Sequence, residues 1–246
     1  MEFYTMLSKY YDDIFSTKEK AVTCIQEEIP LHREARLLDL AAGTGNEALY
    51  LGAAGYDVTA TDLNPVMVEA MKKKAKNQSV HVTVKSQDMT QLNQSNFNKM
   101  DGIYCIGNSF AHLQNLDEML QVFEGAYQLL KPGGTFIIQI VNYDRIYAQK
   151  ITALPIIKNK EKRLDFQRHY QLKGNDLLFQ MRLTVEGDDG KKETYDNETT
   201  LFPLKRAQFE TLAQESPFHS WNVYGDFSRN TFSNKSPALV GILTKA

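Results

Sequence analysis

Short apolar runs alternate with stretches of helical period from Leu37 to Val141. Leu37-Leu38-Asp39-Leu40 reads as a buried strand that stops at Gly43 and Gly45, and a helix-compatible stretch opens at Asn46. Tyr56 to Thr61 is the second strand candidate and ends at Asp62. Val80 to Val84 is the third and Met100 to Ile106 the fourth. Pro65 suits the first turn of the helix that follows the second strand. Leu116 to Leu130 has an amphipathic helical pattern, ended by Lys131-Pro132-Gly133-Gly134, and Thr135 to Val141 is the fifth strand. Such alternation predicts a doubly wound α/β sheet.

The alternation breaks after Ile146. Phe166 to Leu172, Leu177 to Glu186 and Glu193 to Phe202 read as strands, with turn residues at Gly174-Asn175-Asp176 and Gly187-Asp188-Asp189-Gly190. The pattern predicts a three-stranded antiparallel insertion over 146–202, serving as a lid or as a homodimer surface. Lys158 to Arg163 reads as a solvated charge run. Leu204 to Ala213 resumes as a helix, and Ser220 to Tyr224 with Ala238 to Leu243 form a terminal antiparallel pair. At the other end, Tyr4 to Phe15 mixes tyrosines with acids. Ser16-Thr17-Lys18-Glu19 has capping-box spacing for a helix from Thr17 to Glu28, which Pro30 helps to end.

A chain of 246 residues fits one domain, 1–246, and 42% hydrophobic residues can build its core. No apolar run approaches the ~20 residues of a membrane span. Met1 to Ser16 lacks the basic-then-apolar order of a signal peptide. A net charge of −2 supplies no basic surface for nucleic acid. Cys24 and Cys105 stand far apart in apolar contexts. They suggest neither a disulfide framework nor a metal site, and point to the reducing cytoplasm.

The chemistry gathers where strands end. Gly43 and Gly45 let a ligand lie on the backbone, and the Asp62 carboxylate, about 20 residues on, suits ribose hydroxyls. Gly43-x-Gly45-x-x-Ala48 satisfies the loose dinucleotide fingerprint, so a nicotinamide-dependent oxidoreductase is one reading. Asp39 beside the turn would repel a pyrophosphate and favours a cationic ligand. Gly107-Asn108-Ser109-Phe110-Ala111-His112 follows the fourth strand and Asn142-Tyr143-Asp144-Arg145 the fifth, both on the ligand side. Asn108 offers a donor and an acceptor, and His112 can take a proton near neutral pH.

Asp39-Leu40-Ala41-Ala42-Gly43-Thr44-Gly45-Asn46 resembles the first motif of class I S-adenosylmethionine-dependent methyltransferases. The resemblance implies a Rossmann-like methyltransferase sheet with S-adenosylmethionine as cofactor and S-adenosylhomocysteine as product. It implies that Asp39, Ala41, Gly43, Gly45, Asp62, Leu63, Asp88, Met89, Ile106 and Gly107 hold the cofactor, with Asp88 near the adenine amino group. It also implies that the N-terminal segment folds over the cofactor and brings Tyr10 or Tyr11 to the substrate.

Cys105 to Leu113 together with Asn142-Tyr143-Asp144 looks like the glycine and sarcosine N-methyltransferase branch. That narrower resemblance implies that Gly107, Asn108 and His112 border the substrate, and Asn108, His112, Tyr11 and Tyr143 are the candidate catalytic residues on a small-molecule acceptor, with no metal. Enzymes of that branch usually carry an arginine before Asn-Tyr-Asp, where it grips the acceptor carboxylate. Here the residue is Val141, with Arg145, Arg168 or Arg182 as candidates to replace it. Glycine is therefore expected to be a poor acceptor, and N-methylation is expected ahead of O-methylation. A catalytically silent nucleoside-binding protein is the remaining alternative.

Overall fold

The computed structural model describes every residue except Met1, Arg33, Glu34, Gly174 and Asn175. Two short helices, α1 (Glu2–Lys9) and α2 (Tyr11–Ile14), precede α3 (Glu19–Glu28). Strands and helices then alternate: β1 (Arg36–Leu40), α4 (Asn46–Ala53), β2 (Asp57–Asp62), α5 (Pro65–Gln78) and β3 (Thr83–Ser86). β4 (Met100–Cys105), α6 (Leu116–Leu129) and β5 (Leu130–Val141) follow, and α7 (Tyr143–Ala148) leads away from the sheet. Four strands come next, β6 (Ile157–Asn159), β7 (Leu164–Lys173), β8 (Asp176–Glu186) and β9 (Lys192–Leu201). The chain closes with α8 (Arg206–Glu215), β10 (Ser220–Tyr224) and β11 (Ala238–Thr244).

The main sheet has the order β10-β11-β5-β4-β1-β2-β3. β1 to β5 run parallel, and β11 is antiparallel to both its neighbours. Leu37, Leu38 and Leu40 on β1 and Phe136, Ile137, Ile138 and Ile140 on β5 are all buried. Strands buried on both faces need helices on both faces, which is what the βα alternation supplies. Strand order reverses between β1 and β4, so a crevice opens beyond their carboxyl ends.

β6 to β9 form a separate antiparallel sheet, outside the main one as the sequence predicts. Along β8 the buried Leu177, Met181 and Leu183 alternate with the exposed Gln180 and Arg182, so this sheet has one apolar face. That face packs on the N-terminal helices, where Phe3, Leu7 and Ile14 cluster with Phe166, Met181 and Leu183. Phe15 meets Phe166 edge-on at 5.6 Å.

Several boundaries differ from the sequence reading. The third strand starts at Thr83 because Val80 and Val82 are spent on the helix-to-strand turn, packed over Gly52. The helix expected from Thr17 begins at Glu19, and no side chain caps it. Its N-cap, Lys18, instead donates its backbone N–H to Glu47 Oε1 at 3.2 Å. The second sheet has four strands rather than three: Ile157–Asn159, half hidden in the charge run, turns back on Leu164 with Asn159 Oδ1 holding the Lys162 N–H. β5 begins at Leu130, which pairs with Met100 before an irregularity in the ladder. The helix expected from Leu204 begins at Arg206, and Ile146 still belongs to α7. In the turn at Gly174-Asn175-Asp176, the first two residues lie outside the described residues.

Candidate active site

A cavity of about 880 Å³ lies beyond the carboxyl ends of the strands at the point where their order reverses. The turns that form and back its floor hold backbone in left-handed conformations. Ala41 (φ 56°), Gly43 (59°) and Gly45 (79°) follow β1, and Gly107 (77°) and Asn108 (74°) follow β4. For Ala41 and Asn108, which carry a Cβ, such a conformation costs ~1–3 kcal/mol each, strain that the surrounding structure holds in place. A Cβ on Gly43 would stand 2.6 Å from the Tyr11 hydroxyl oxygen, so only glycine leaves the surface open there.

Asp62, at the end of β2, ties this floor together. Its Oδ2 accepts from the Gly43 N–H and its Oδ1 from the Asn64 N–H, both at 2.8 Å. Burial nevertheless pushes its carboxyl above the usual range, outweighing those hydrogen bonds. Asp39, buried beneath the turn, is pushed well above that range by burial first and by the charge of Glu47 second. Asp88 caps the short 3₁₀ turn Met89–Gln91, its Oδ1 accepting from the Thr90 N–H and hydroxyl at 2.8 Å each. Leu63 is two-thirds exposed at the cavity rim.

The N-terminal helices roof the cavity. Tyr11 is held between Phe15, 5.0 Å away, and the glycine turn, and burial and the Asp62 charge keep its phenol protonated. Polar ties fasten the roof. Asp12 accepts from Thr44 Oγ1 at 3.0 Å and pairs with Lys74 at 2.5 Å, and Asn46 Nδ2 donates to the Phe15 carbonyl at 2.5 Å. Phe179 and Met181 of the second sheet make a side wall.

The loop after β4 makes the opposite wall. Gln139 Oε1 accepts from the Gly107 N–H at 2.8 Å. Asn108 Oδ1 accepts from the Val141 N–H at 2.9 Å, and its side chain pairs with the Tyr143 hydroxyl, Nδ2 lying at 3.0 Å and Oδ1 at 3.1 Å. Tyr143 is fully buried, and burial pushes its phenol well above the usual range. His112 lines the cavity, and desolvation lowers its pKa, which favours the neutral imidazole.

Of the residues singled out from sequence, Tyr11, Ala41, Gly43, Asp62, Leu63, Asp88, Met89, Gly107 and His112 come together on the cavity. Asp39, Gly45, Ile106, Asn108 and Tyr143 lie behind that surface. Asn108 and Tyr143 are bonded to each other and shape the loop rather than front the space. Sequence reasoning missed Phe179 and Met181, whose approach depends on how the second sheet docks. It also missed Lys18, whose ammonium is 3.4 Å from where a Cβ on Gly107 would be. The only signal there was a cation 21 residues ahead of Asp39, a spacing that no local rule weights.

Residues 37–134 match the family profile described as "Methyltransferase domain". The fold around that segment is also that of a solved S-adenosylmethionine-dependent methyltransferase from Clostridium acetobutylicum ATCC 824. The TM-score is 0.81, with 20% identity and 99% of each chain covered. The chain carries a methyltransferase domain on the fold of the class I S-adenosylmethionine-dependent methyltransferases. Within that class it is similar to the glycine/sarcosine N-methyltransferase of Halorhodospira halochloris, at 26% identity over 86% of this chain and 75% of the relative. It also shares its fold with the sugar N-methyltransferase KedS8 from Streptoalloteichus sp ATCC 53650. There the TM-score is 0.74, with 15% identity over 99% of this chain and 93% of that one.

The Asn108–Tyr143 pair generates a structural prediction. Asn108→Ala leaves the buried Tyr143 hydroxyl and the Val141 N–H without their partner, at a cost of ~2 kcal/mol. Urea denaturation should show that loss, whereas Asn108→Asp, which keeps an acceptor for Val141, should lose less.

Proposed function

We propose that this methyltransferase transfers a methyl group from S-adenosylmethionine to the amine nitrogen of a small molecule larger than glycine. One observation carries the reading: the glycine cradle, Asp62 and the Gly107–His112 loop open onto a single roofed cavity. Its volume is near the top of the ~300–1,000 Å³ usual for ligand pockets, which leaves room for an acceptor beside the cofactor. The relative from Halorhodospira halochloris is a glycine/sarcosine N-methyltransferase, which supports N- over O-methylation.

In this reading the Asp62 carboxylate receives the ribose hydroxyls, and Leu63 and Met89 flank the adenine. Asp88, with one oxygen used in its cap, offers the other to the adenine amino group. Asp39, Ala41, Gly43, Gly45, Ile106 and Gly107 shape the cradle for the methionine part. S-adenosylmethionine supplies an electrophilic methyl group on a sulfonium that already carries its leaving group. The chain's work is then to exclude water, align the acceptor and keep it neutral, an effect worth up to ~7–11 kcal/mol for well-oriented partners. Tyr11 covers the reacting region as a neutral phenol, and His112 is placed to hold the acceptor's proton. Asn108 and Tyr143 act as positioning residues. Val141 offers no charge, so glycine loses the partner its carboxylate needs.

The second sheet is the wall and lid of this site within one domain, supported by Phe179 and Met181 on the cavity. The reducing cytoplasm fits two thiols that are free and buried, one of them, Cys24, pushed up to about 11 by burial. No helix among the described residues is long and apolar enough to cross a membrane.

The direct test is a methyl-transfer screen over amines, amino acids and phenols, with S-adenosylhomocysteine formation as readout. Turnover on amines with little on phenols is expected. A thermal response to NAD with none to S-adenosylhomocysteine would overturn the cofactor assignment. S-adenosylhomocysteine at ~100 times its Kd should stabilise the native protein by ~2.7 kcal/mol, and Asp62→Ala should lose most of that shift while still folding.

The raised carboxyls also set a pH dependence. Asp39 and Asp62 hold protons to higher pH than usual in the free protein. A sulfonium favours their charged forms, so its binding releases protons. Affinity for S-adenosylmethionine should therefore rise with pH through the range in which these acids ionise. S-adenosylhomocysteine, neutral at sulfur, should show a shallower slope in calorimetry across the same buffers.

A further inference from the structure

Away from the glycine turn and the strand ends, the cavity wall is aromatic and apolar. Tyr11 and Phe15 reach it from the N-terminal roof, and Phe179 and Met181 from the second sheet. The three rings belong to one apolar cluster. Each is braced by another ring: Tyr11 by Phe15 at 5.0 Å, Phe15 by Phe166 edge-on at 5.6 Å, and Phe179 by Tyr170, stacked at 5.2 Å. Leu113, adjacent to His112 in the chain, adds an apolar side chain from the loop after β4.

Several polar groups beside this wall are already engaged. The Ser109 hydroxyl donates to the Ile106 carbonyl at 3.3 Å, and Glu118 accepts from the Gln114 N–H at 2.8 Å. The carboxylates on the cavity are Asp62, Asp88 and Glu118. Burial raises the Tyr4 and Tyr11 phenols, and the Asp62 charge raises both further, so a negative field reaches the roof. Among the described residues that line the cavity, none is a lysine or an arginine. Arg145, Arg168 and Arg182, the candidates to replace an arginine where Val141 stands, bond Gln149, the Pro155 carbonyl and Asp196 instead. Lys18 comes near at Gly107, in the cradle assigned above to the methionine part, which brings a carboxylate of its own.

We infer that the methyl acceptor is an apolar amine, bearing an aryl or bulky alkyl group and no carboxylate or phosphate, with that group seated against Tyr11, Phe15, Phe179 and Met181. The inference rests on the N-methyltransferase reading above and names the acceptor class for that site. An aryl group gains from rings and a thioether beyond the area it buries. The ammonium form of the amine is drawn in by the same rings and by the acids. A carboxylate on this wall would be desolvated with no cation beside it. A sugar amine fits little better, because its ring hydroxyls would leave water for apolar side chains.

The test compares phenethylamine, phenylalaninamide, phenylalanine and glucosamine as acceptors, with S-adenosylhomocysteine formation as readout. Phenethylamine and the amide should exceed phenylalanine in kcat/KM by ~100-fold or more, and glucosamine should fall below phenethylamine. Phe179→Ala should lower the ratio of kcat/KM for phenethylamine to that for methylamine ~10-fold. Phe179→Leu, which keeps an apolar side chain against Tyr170, should lower that ratio less. Phenylalanine used as well as its amide, glucosamine preferred to phenethylamine, or an unchanged ratio in Phe179→Ala would overturn the inference.

A binding arm needs no turnover. With S-adenosylhomocysteine saturating, phenethylammonium chloride should raise the melting temperature above a sodium chloride control. Hydrocinnamate, the same ring with an anionic end, should not. No increment from the amine, or an equal one from hydrocinnamate, would also overturn the inference. If the amine binds and no acceptor is methylated, the N-methyltransferase reading fails instead, while the binding arm still reports on the aromatic wall.

Discussion

The Asp62 carboxylate is the constraint on which the site depends. It closes the distance between the ends of β1 and β2 by accepting from the Gly43 and Asn64 N–H groups at once. That double acceptance fixes the glycine turn, and the turn fixes where Tyr11 rests. A carboxylate used in this way is already desolvated before any ligand arrives, which is why burial raises its pKa despite two good donors. The protein has met in folding a cost that binding would otherwise incur. Electrostatic preorganisation of this kind is worth most in a site shielded from water.

The neighbouring elements repeat that logic with different means. Asn108 uses its side chain to hold Val141 and Tyr143, freeing the loop backbone at Gly107 to face the cavity. Asp88 spends one oxygen on Thr90 to fix the next loop. In each case a polar side chain at a strand end is partly committed to local geometry, which fixes the loop backbone beside it. The site is consequently built from turns whose shape is over-determined, and the left-handed Ala41 and Asn108 are where the strain collects.

The centre of the main sheet was legible because β1, β4 and β5 carry dense apolar runs next to glycine and proline turns, a local signal that long-range packing does not overturn. The cradle residues were legible for the same reason: Gly43, Asp62 and Asp88 all stand at strand ends. The hydrogen-bond partners of Asn108 and Tyr143 were not. A sequence shows that an asparagine has hydrogen-bonding capacity but not where that capacity is used, and here it is used across 35 residues. β6 was missed because three residues inside a polar run carry no periodicity and pair only through the hairpin they close. The second sheet's approach to the cavity depends on apolar contacts with α1 and α2, which are remote in sequence and lie outside any local rule.

Those contacts couple the two enclosures of the cavity. The roof over the glycine turn and the wall beside it are joined by Phe15 against Phe166, and by Asp13 Oδ1 accepting from Asn159 Nδ2 at 3.5 Å. Roof and wall therefore share their support: what loosens the helices over the glycine turn also loosens the sheet that walls the cavity.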